Sequence, residues 1–388
     1  FSMIVFIIGT IICAFAYYFP ILMIGRIVQA IGAGILMPLM MTIIMLIFPI
    51  ERRGLALGIV GLVISFAPAL GPAIAGWLIE FLSWRALFYF IIPIAFIDII
   101  LAFFFMKNII PRTFPKVDYP SIILSVLGFG GLLYGFSSVG NYGWLHSGVL
   151  ISLVVGTISL IAFIWRQLKL EEPILEFRVF TYKIFTFATV IAMVTFTMLI
   201  AAETILPIYM QVMAGFTAFE SGMMMLPGAI LMGILSPFVG RIFDRIGVKW
   251  LLPTGLLIMT VTTIFFTNLT ENTSFIYLTV VYAIRMIGIA MVSMPSTTAS
   301  LNVLPKRLIP HGTAMTNTMR QVAASIGTAF LITVMSLAAK DPTVYGMRGL
   351  IHGVNIAFYV ATAITFLAFI FSFFVKDRKH VKETEKIA

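Results

Sequence analysis

Five ionisable side chains lie inside long apolar stretches of the sequence, where they could hold or move charge. Three are arginines and two are carboxylates: Arg26, Arg285, Arg320, Glu203 and Asp98. A charged side chain at the bilayer centre costs about 2.5–3.5 kcal/mol on insertion scales, so such groups face a protein interior or a water-filled cavity. Buried charges of both signs can bind ions and exchange protons, which makes these residues the first candidates for function.

The elements that carry these charges are apolar runs long enough to cross a bilayer as helices. Hydrophobic residues make up 61% of the 388 residues and charged residues only 10%, and the mean hydropathy is +1.10. About 20 apolar residues span a hydrocarbon core ~30 Å thick. Twelve such runs cover residues 1–17, 20–48, 54–79, 85–106, 119–139, 147–168, 184–210, 220–239, 249–267, 275–299, 311–337 and 350–375. We therefore expect an all-α polytopic membrane protein with about twelve transmembrane helices.

The net charge of +10 follows membrane topology and does not indicate nucleic-acid binding. If the first run enters from the cytoplasm, nineteen Lys and Arg residues fall in the inner segments and three in the outer ones. Such asymmetry is the positive-inside signal, and it places the C-terminal tail in the cytoplasm. The single cysteine, Cys13, excludes an internal disulfide. We expect no nucleic-acid partner.

The first residue, Phe1, lies within or at the edge of an apolar run. The start lacks the charged region and the small-residue cleavage site of a signal peptide. We therefore expect that further chain precedes it.

A polar linker at residues 166–183 separates the first six runs from the last six. The two halves are weakly similar, because Arg26 and Arg285 are each followed by small residues and then by a proline, Pro38 and Pro295. Internal repeats with helices interrupted at matching places are typical of secondary transporters.

Glycine and proline cluster in the third run, at Gly61, Pro68, Gly71, Pro72 and Gly76. Glycine allows helix backbones to approach closely, and proline removes a backbone hydrogen bond and bends the helix. A generic tight helix contact would explain part of this pattern. Because glycines and prolines recur along one run, we favour a helix whose bend has a function.

A charged segment follows the eighth run, at Gly240, Asp244, Arg245, Gly247 and Lys249. The positive-inside rule explains the basic residues, but it does not explain the aspartate or the two glycines. We expect Asp244 to accept hydrogen bonds from nearby arginines and to favour the start of the ninth run through the helix dipole.

These patterns resemble the major facilitator superfamily. The segment Gly240–Lys249 resembles the family's loop signature, the spacing of Arg26, Gln29, Gly32 and Gly34 resembles its fourth-helix motif, and the third run resembles its antiporter motif. Residues 172–175, 206–211, 222–228 and 311–321 further resemble the branch of fourteen-span drug:proton antiporters, the quaternary-ammonium and lincomycin-type multidrug exporters. The resemblance covers essentially the whole chain.

The resemblance implies the major facilitator fold with twelve of fourteen helices, the first two being absent from this sequence. It divides the chain into the remainder of an N-terminal bundle at 1–107, two additional helices and a linker at 108–183, and a C-terminal six-helix bundle with a cytoplasmic tail at 184–388. In this fold the second, seventh and tenth runs line the central cavity, which places Arg26, Glu203 and Arg285 there. The family's first helix supplies an intramembrane aspartate that lies outside this sequence.

Glu203 is the predicted proton carrier, and Arg26 and Asp98 are further candidates for proton coupling. At ~1.5 Å per residue, Glu203 and Arg26 both lie ~10 Å below the outer surface, so we expect them to communicate. A carboxylate in a low-dielectric pocket holds its proton tightly, and an approaching cation promotes its release. The alternative is a structural carboxylate, a role that we favour for Asp98.

The remaining candidate residues divide between the cavity and a gate. Predicted cavity or substrate residues are Arg285, Gln29, Tyr209 and Gln211. Predicted residues of the cytoplasmic gate are Gly240, Asp244, Arg245, Gly247, Lys249 and Arg320.

The expected function is proton-coupled multidrug efflux across a bacterial plasma membrane, with hydrophobic or cationic compounds exported by alternating access. An exporter of lipids or fatty acids and a nonfunctional fragment of such a transporter are the alternatives. The sequence contains no His-Glu-x-x-His and no Gly-x-Ser-x-Gly pattern, which argues against an enzyme. We expect no cofactor or metal and a monomer whose partners are small-molecule substrates, protons and the bilayer.

Overall fold

The computed structural model describes residues 1–105, 118–171 and 173–375, with the backbone alone at 65–70, 72–73, 75–77, 79–80, 140–141 and 342. The described chain is helical. Its α-helices are α1 (Ser2–Ala14), α2 (Phe19–Ile47), α3 (Arg53–Phe81), α4 (Ala86–Phe105), α5 (Tyr119–Tyr142), α6 (Ser147–Lys169), α7 (Lys183–Ile208), α8 (Ala218–Ile246), α9 (Val248–Phe265), α10 (Phe275–Asn302), α11 (Ile309–Ala338), α12 (Pro342–Tyr345) and α13 (Met347–Ser372). Within the described ranges, ten helices are long and apolar enough to cross a membrane.

Each predicted apolar run corresponds to one helix, which confirms the all-α polytopic fold. The match follows from the bilayer, where a helix satisfies every backbone polar group within its own segment. The predicted end of the eighth run, at 239, is wrong. Helix α8 continues to Ile246, and only Gly247, with φ of 74°, separates it from α9. Hydropathy ends a run at the first charges, whereas helical hydrogen bonding continues through them.

The chain forms two compact units, and the first contains residues 1–43 and 70–117. In its described part, α1 packs closely on α2, because a Cβ added at Gly25 would lie 2.6 Å from the Cys13 Sγ atom. The connection into α4 is held by Arg85, whose guanidinium donates to the Ala16 carbonyl at 2.7 Å. Tyr89 donates to the Ala14 carbonyl at 3.3 Å.

The second unit contains residues 44–69 and 118–388, so the first part of α3 belongs to it. Its core is apolar and lies among helices α7, α8, α9, α10, α11 and α13. Threonines inside these helices donate their hydroxyls to carbonyls one turn earlier, as Thr195 does to Ile191 at 2.8 Å and Thr260 to Leu256 at 2.8 Å. This local bonding removes the cost of placing a hydroxyl in an apolar interior.

A polar network holds the start of α5 against the end of α6. The Arg166 guanidinium donates to both oxygens of Asp118, each at 2.8 Å. Ser121 also donates to Asp118, and Gln167 donates to Ser121 at 2.6 Å and accepts from the Leu175 amide. The hydrogen bonds from Arg166 and Ser121 lower the pKa of Asp118 from 3.8 to about 2. The carboxylate is therefore charged at neutral pH, and it joins the start of α5 to the end of α6.

Helix α7 changes its winding where it ends. Pro207 lies within its last turn and has no backbone N–H. The following residues, Tyr209–Met213, form a π-helical turn in which the Ala214 amide donates to the Tyr209 carbonyl at 3.0 Å. Wider turns of this kind often occur at functional sites. This one lies one to two turns after Glu203.

Candidate functional site

The most deeply buried charge of the described chain is Arg285, on α10. Its side chain is 1% exposed, and its Nη2 atom donates to the Met198 carbonyl of α7 at 2.8 Å. The Nε and Nη1 atoms are buried without a hydrogen-bond partner. Unpaired donors on a buried cation are costly, so these two atoms are candidates for binding an acceptor.

Glu203 lies on α7, one to two turns beyond Met198, and is half-buried. It interacts electrostatically with Arg285 and with Tyr282, which precedes Arg285 by one turn of α10. Ion pairs within 4.0 Å in the described ranges join other residues: Asp118 to Arg166, Glu176 to Arg178 and Glu271 to Arg348. Glu203 and Arg285 thus interact without direct ionic contact. We call Glu203, Tyr282, Arg285 and the Met198 carbonyl the Arg285 cluster.

Packing between α8 and α10 fixes the Arg285 cluster. A Cβ added at Gly228 of α8 would lie 2.7 Å from the Tyr282 ring and 3.0 Å from Met286 Cγ. The absence of a side chain at Gly228 therefore lets α10 approach closely. Tyr282 is 1% exposed, so its ring is buried one helical turn before the arginine. Sequence reasoning missed Tyr282, although its spacing of three residues from Arg285 places both on one face of a helix.

The second intramembrane arginine, Arg26, lies in the first unit. Its Nη1 atom donates to Gln29 Oε1 at 2.9 Å, and Gln29 Nε2 donates to the Thr10 hydroxyl of α1 at 3.0 Å. Gln29 is 7% exposed, whereas Arg26 is exposed. The structure therefore joins the predicted coupling residue Arg26 and the predicted cavity residue Gln29 into one chain of hydrogen bonds. The predicted link from Arg26 to Glu203 stays a prediction.

Asp98 is exposed on α4, at the edge of a cavity of about 380 Å³ within the first unit. The other residues that line this cavity are apolar, and they include Phe6, Leu36 and Leu101. Among the described residues, none of these lining groups is an ionic partner for the carboxylate. The proposed coupling role of Asp98 and its structural alternative both remain predictions.

The charged segment at the end of α8 holds the beginning of α3. The Asp244 Oδ1 atom accepts from the Gly54 amide at 2.8 Å, and Oδ2 accepts from the Leu55 amide at 2.9 Å. These amides belong to the first turn of α3, where unpaired N–H groups and the helix dipole favour an anion. Asp244 therefore stabilises the start of α3, a contact that the sequence did not predict. The expected bonds from arginines and the expected effect on the start of α9 stay predictions. We call this contact the α3–α8 latch.

Glycines allow the α3–α8 latch to form. A Cβ added at Gly54 would lie 2.5 Å from the Gly240 carbonyl, and one added at Gly240 would collide with the Gly54 carbonyl. Arg53 also holds the start of α3, because its Nη1 atom donates to Asn302 Oδ1 at 2.9 Å. Asn302 is the last residue of α10. Sequence reasoning missed Arg53, Gly54 and Asn302. An Arg-Gly pair at a helix start was the available signal.

The other predicted gate residues lie in several environments. Gly247 ends α8, and its amide donates to the Phe243 carbonyl at 2.8 Å. Arg245 is exposed, and the Lys249 ammonium lies 6.0 Å from the Trp250 ring centre. Arg320, on α11, places its guanidinium 4.5 Å from the ring centre of Phe196 on α7. A cation over an aromatic face is favourable in an apolar site.

Two predicted cavity residues lie at the π-helical turn. The Tyr209 side chain is buried, and its hydroxyl donates to the Thr270 carbonyl at 2.6 Å. That bond ties the end of α7 to the turn between α9 and α10. Gln211, two residues later, is exposed. The structure does not bring either residue into the Arg285 cluster.

The glycine and proline cluster of α3 is described in part. A Cβ added at Gly61 would lie 3.1 Å from Met294 Cγ, so Gly61 marks close contact between α3 and α10. Gly71 is exposed with no atom within 4 Å of such a Cβ. Pro68, Pro72 and Gly76 lie within α3, but their side-chain surroundings fall outside the described residues.

Comparison with known proteins assigns the family. The sequence matches the Major Facilitator Superfamily over residues 1–328. The chain belongs to the Major Facilitator Superfamily. Among its relatives, the MFS-type transporter YcnB of Bacillus subtilis is 52% identical over 385 residues, which cover 99% of this chain and 82% of the relative. The lincomycin resistance protein LmrB of Listeria monocytogenes is 41% identical over 379 residues, which cover 96% of this chain and 80% of the relative.

The fold agrees with this assignment. The crystal structure of the human organic anion transporter MFSD10 superposes with a TM-score of 0.64 at 15% identity, covering 96% of this chain and 75% of that one. At this identity the likeness shows the major facilitator fold alone. Together with the ten apolar helices, it confirms a multi-pass membrane protein of a transporter superfamily.

Proposed function

We propose that this major facilitator protein is a proton-coupled multidrug efflux antiporter that exports hydrophobic or cationic compounds by alternating access. The observation that carries the proposal is the Arg285 cluster, in which a buried arginine with two free donor atoms lies beside a half-buried carboxylate. The similarity to a lincomycin resistance protein supports drug export.

In the proposed cycle, Glu203 alternates between a protonated and a charged form. A cationic compound that binds near the carboxylate promotes release of its proton, because opposite charges stabilise the ionised form. When Glu203 is protonated, Arg285 loses a nearby negative charge, so an acceptor that pairs with its free Nε and Nη1 atoms is favoured more strongly. The two states of the carboxylate therefore favour different arrangements around Arg285, as an exchange of substrate for protons requires.

The α3–α8 latch would control access from one end of the protein. By the charge asymmetry of the sequence, this end and the C-terminal tail face the cytoplasm. Closing the latch gives the first turn of α3 an anionic partner, and opening exposes that partner to water. The latch thus biases a two-state equilibrium without contacting substrate. We assign the transporter to the bacterial plasma membrane as a monomer that needs no cofactor besides the proton gradient.

The test is transport by the full-length protein in proteoliposomes under an imposed pH gradient. Labelled lincomycin and the cationic dye ethidium serve as probes, and vesicles treated with a protonophore serve as the control. The proposal predicts that the probes accumulate against their gradients only while the pH gradient lasts. Accumulation that survives the protonophore, or transport of neither probe under either condition, would contradict it.

A further inference from the structure

A cavity of about 540 Å³ lies between the additional helix α5 and helix α11, with Ile200 of α7 at its back. Its volume falls within the ~300–1,000 Å³ that is typical of small-molecule sites. None of the described residues that line it carries a formal charge. The cavity belongs wholly to the second unit and does not include the Arg285 cluster.

The cavity has polar groups on both α5 and α11, although these helices are apolar enough to span a membrane. Five lining residues carry hydroxyl or amide groups: Tyr134, Ser137, Gln321, Ser325 and Thr328. The Thr328 hydroxyl is buried without a hydrogen-bond partner. Gln321 is exposed near the middle of α11. These groups offer hydrogen-bond donors and acceptors to a ligand, and the buried Thr328 hydroxyl has no other partner.

Aromatic residues flank the end of the cavity nearest the turn between α5 and α6. Trp144 donates from Nε1 to the Thr333 hydroxyl of α11 at 3.1 Å. Its ring meets Phe136, a lining residue, edge to face with ring centres 6.0 Å apart. From Gln321 to Ile332 the lining residues of α11 span about 17 Å at ~1.5 Å per residue. It is therefore elongated along α11, with hydroxyl groups on α5 and amide and hydroxyl groups on α11.

We propose that this cavity binds an uncharged amphiphile dissolved in the bilayer, with an aliphatic or aromatic body and a hydroxyl or amide head. Gln321 both donates and accepts hydrogen bonds, so it matches a head group of this kind. A cation would find no carboxylate among the described lining residues. A phospholipid would have to bring its phosphate to mid-membrane depth without a counter-charge. Binding of such amphiphiles does not depend on the proposed export function. Only their role as transport substrates rests on it.

The binding test uses full-length protein in lipid nanodiscs and a medium-chain alcohol that carries a photoreactive diazirine. Adducts are mapped by peptide mass spectrometry, with and without an excess of the plain alcohol. We expect competable adducts within residues 133–137 and 321–332. The variant Gln321→Leu should weaken competable labelling about two- to tenfold, as the loss of one hydrogen bond predicts. Ser325→Phe, which fills the cavity, should abolish it.

The matched control is Phe330→Leu, because Phe330 is 46% exposed on α11 and does not line the cavity. This variant should label as wild type does. Labelling spread over all exposed helices and not competed by the alcohol would overturn the inference, and so would equal labelling by a diazirine alkane without a hydroxyl. Labelling is measured without a pH gradient. Failure of the export proposal and failure of this inference therefore give different results.

Discussion

Replacing Asp244 with asparagine should release the α3–α8 latch. The carboxylate accepts one hydrogen bond on each oxygen, from the Gly54 amide at 2.8 Å and the Leu55 amide at 2.9 Å. Asparagine keeps one acceptor and presents an N–H₂ group to the other amide, so one charge-assisted bond, worth ~1.5–3 kcal/mol, is lost. The favourable interaction with the α3 dipole, ~0.3–1 kcal/mol, also disappears. Because Asp244 is half-buried, solvent screening reduces the total to about 2 kcal/mol, which corresponds to about a 30-fold shift in the opening equilibrium.

The assay is the modification rate of a cysteine at Ser236, in full-length protein whose Cys13 is replaced by serine. Ser236 is 2% exposed, and its carbonyl would lie 2.5 Å from a Cβ added at Gly58, so the latched form hides it. A water-soluble maleimide should react about 30-fold faster in the Asp244→Asn protein, in proportion to the open population. The control is Glu271→Gln, which removes an exposed carboxylate 3.8 Å from its arginine. Equal rates in the Asn variant and wild type would refute the latch.

Three further predictions test the packing and the polar contacts. Gly58→Leu would force a side chain against the Ser236 carbonyl, so it should destabilise the protein by ~1–3 kcal/mol, measured by thermal unfolding in detergent. Gly34→Leu is the control and should not destabilise the protein, because no atom lies within 4 Å of a Cβ added at Gly34. Since hydrogen bonds lower the pKa of Asp118 from 3.8 to about 2, its contribution to stability is complete above pH 4 and is lost as the pH falls to about 2. Asp118→Asn should remove that part of the acid dependence, and an unchanged acid profile would oppose this interpretation. The Tyr209 hydroxyl donates to a carbonyl in the α9–α10 turn, so Tyr209→Phe should cost ~0.5–1.5 kcal/mol of stability. The range of exported compounds should stay unchanged. An altered substrate range would instead place Tyr209 in the cavity.

The helices could be predicted from sequence because the bilayer imposes both their length and their backbone bonding. Hydropathy located each run to within a few residues at most ends. It failed at the end of α8, where residues 240–246 remain helical beyond the apolar stretch. The same residues carry the latch. The sequence interpretation placed residues 240–246 in a loop, so it missed that Asp244 is part of α8.

Contacts between distant segments were less accessible to sequence reasoning. Asp244 and Gly54 are 190 residues apart, and no local spacing indicates that they meet. Depth along a helix placed Glu203 level with Arg26, but depth does not show which way a side chain points. The structure shows that the described electrostatic partners of Glu203 include Arg285, from its own helix bundle. Hydropathy located the helices, and only the structure shows which side chains of different helices meet.

In the proposed cycle Glu203 couples proton movement to export, and the most direct test is pH-driven accumulation by the Glu203→Gln variant of the full-length protein. Glutamine is neutral at every pH, so the variant should bind ethidium in proteoliposomes yet catalyse only downhill equilibration. Wild type and the Glu271→Gln control should accumulate the dye against its gradient under the same imposed pH difference. Full pH-driven accumulation by the Glu203→Gln protein would contradict the account and move the proton site elsewhere.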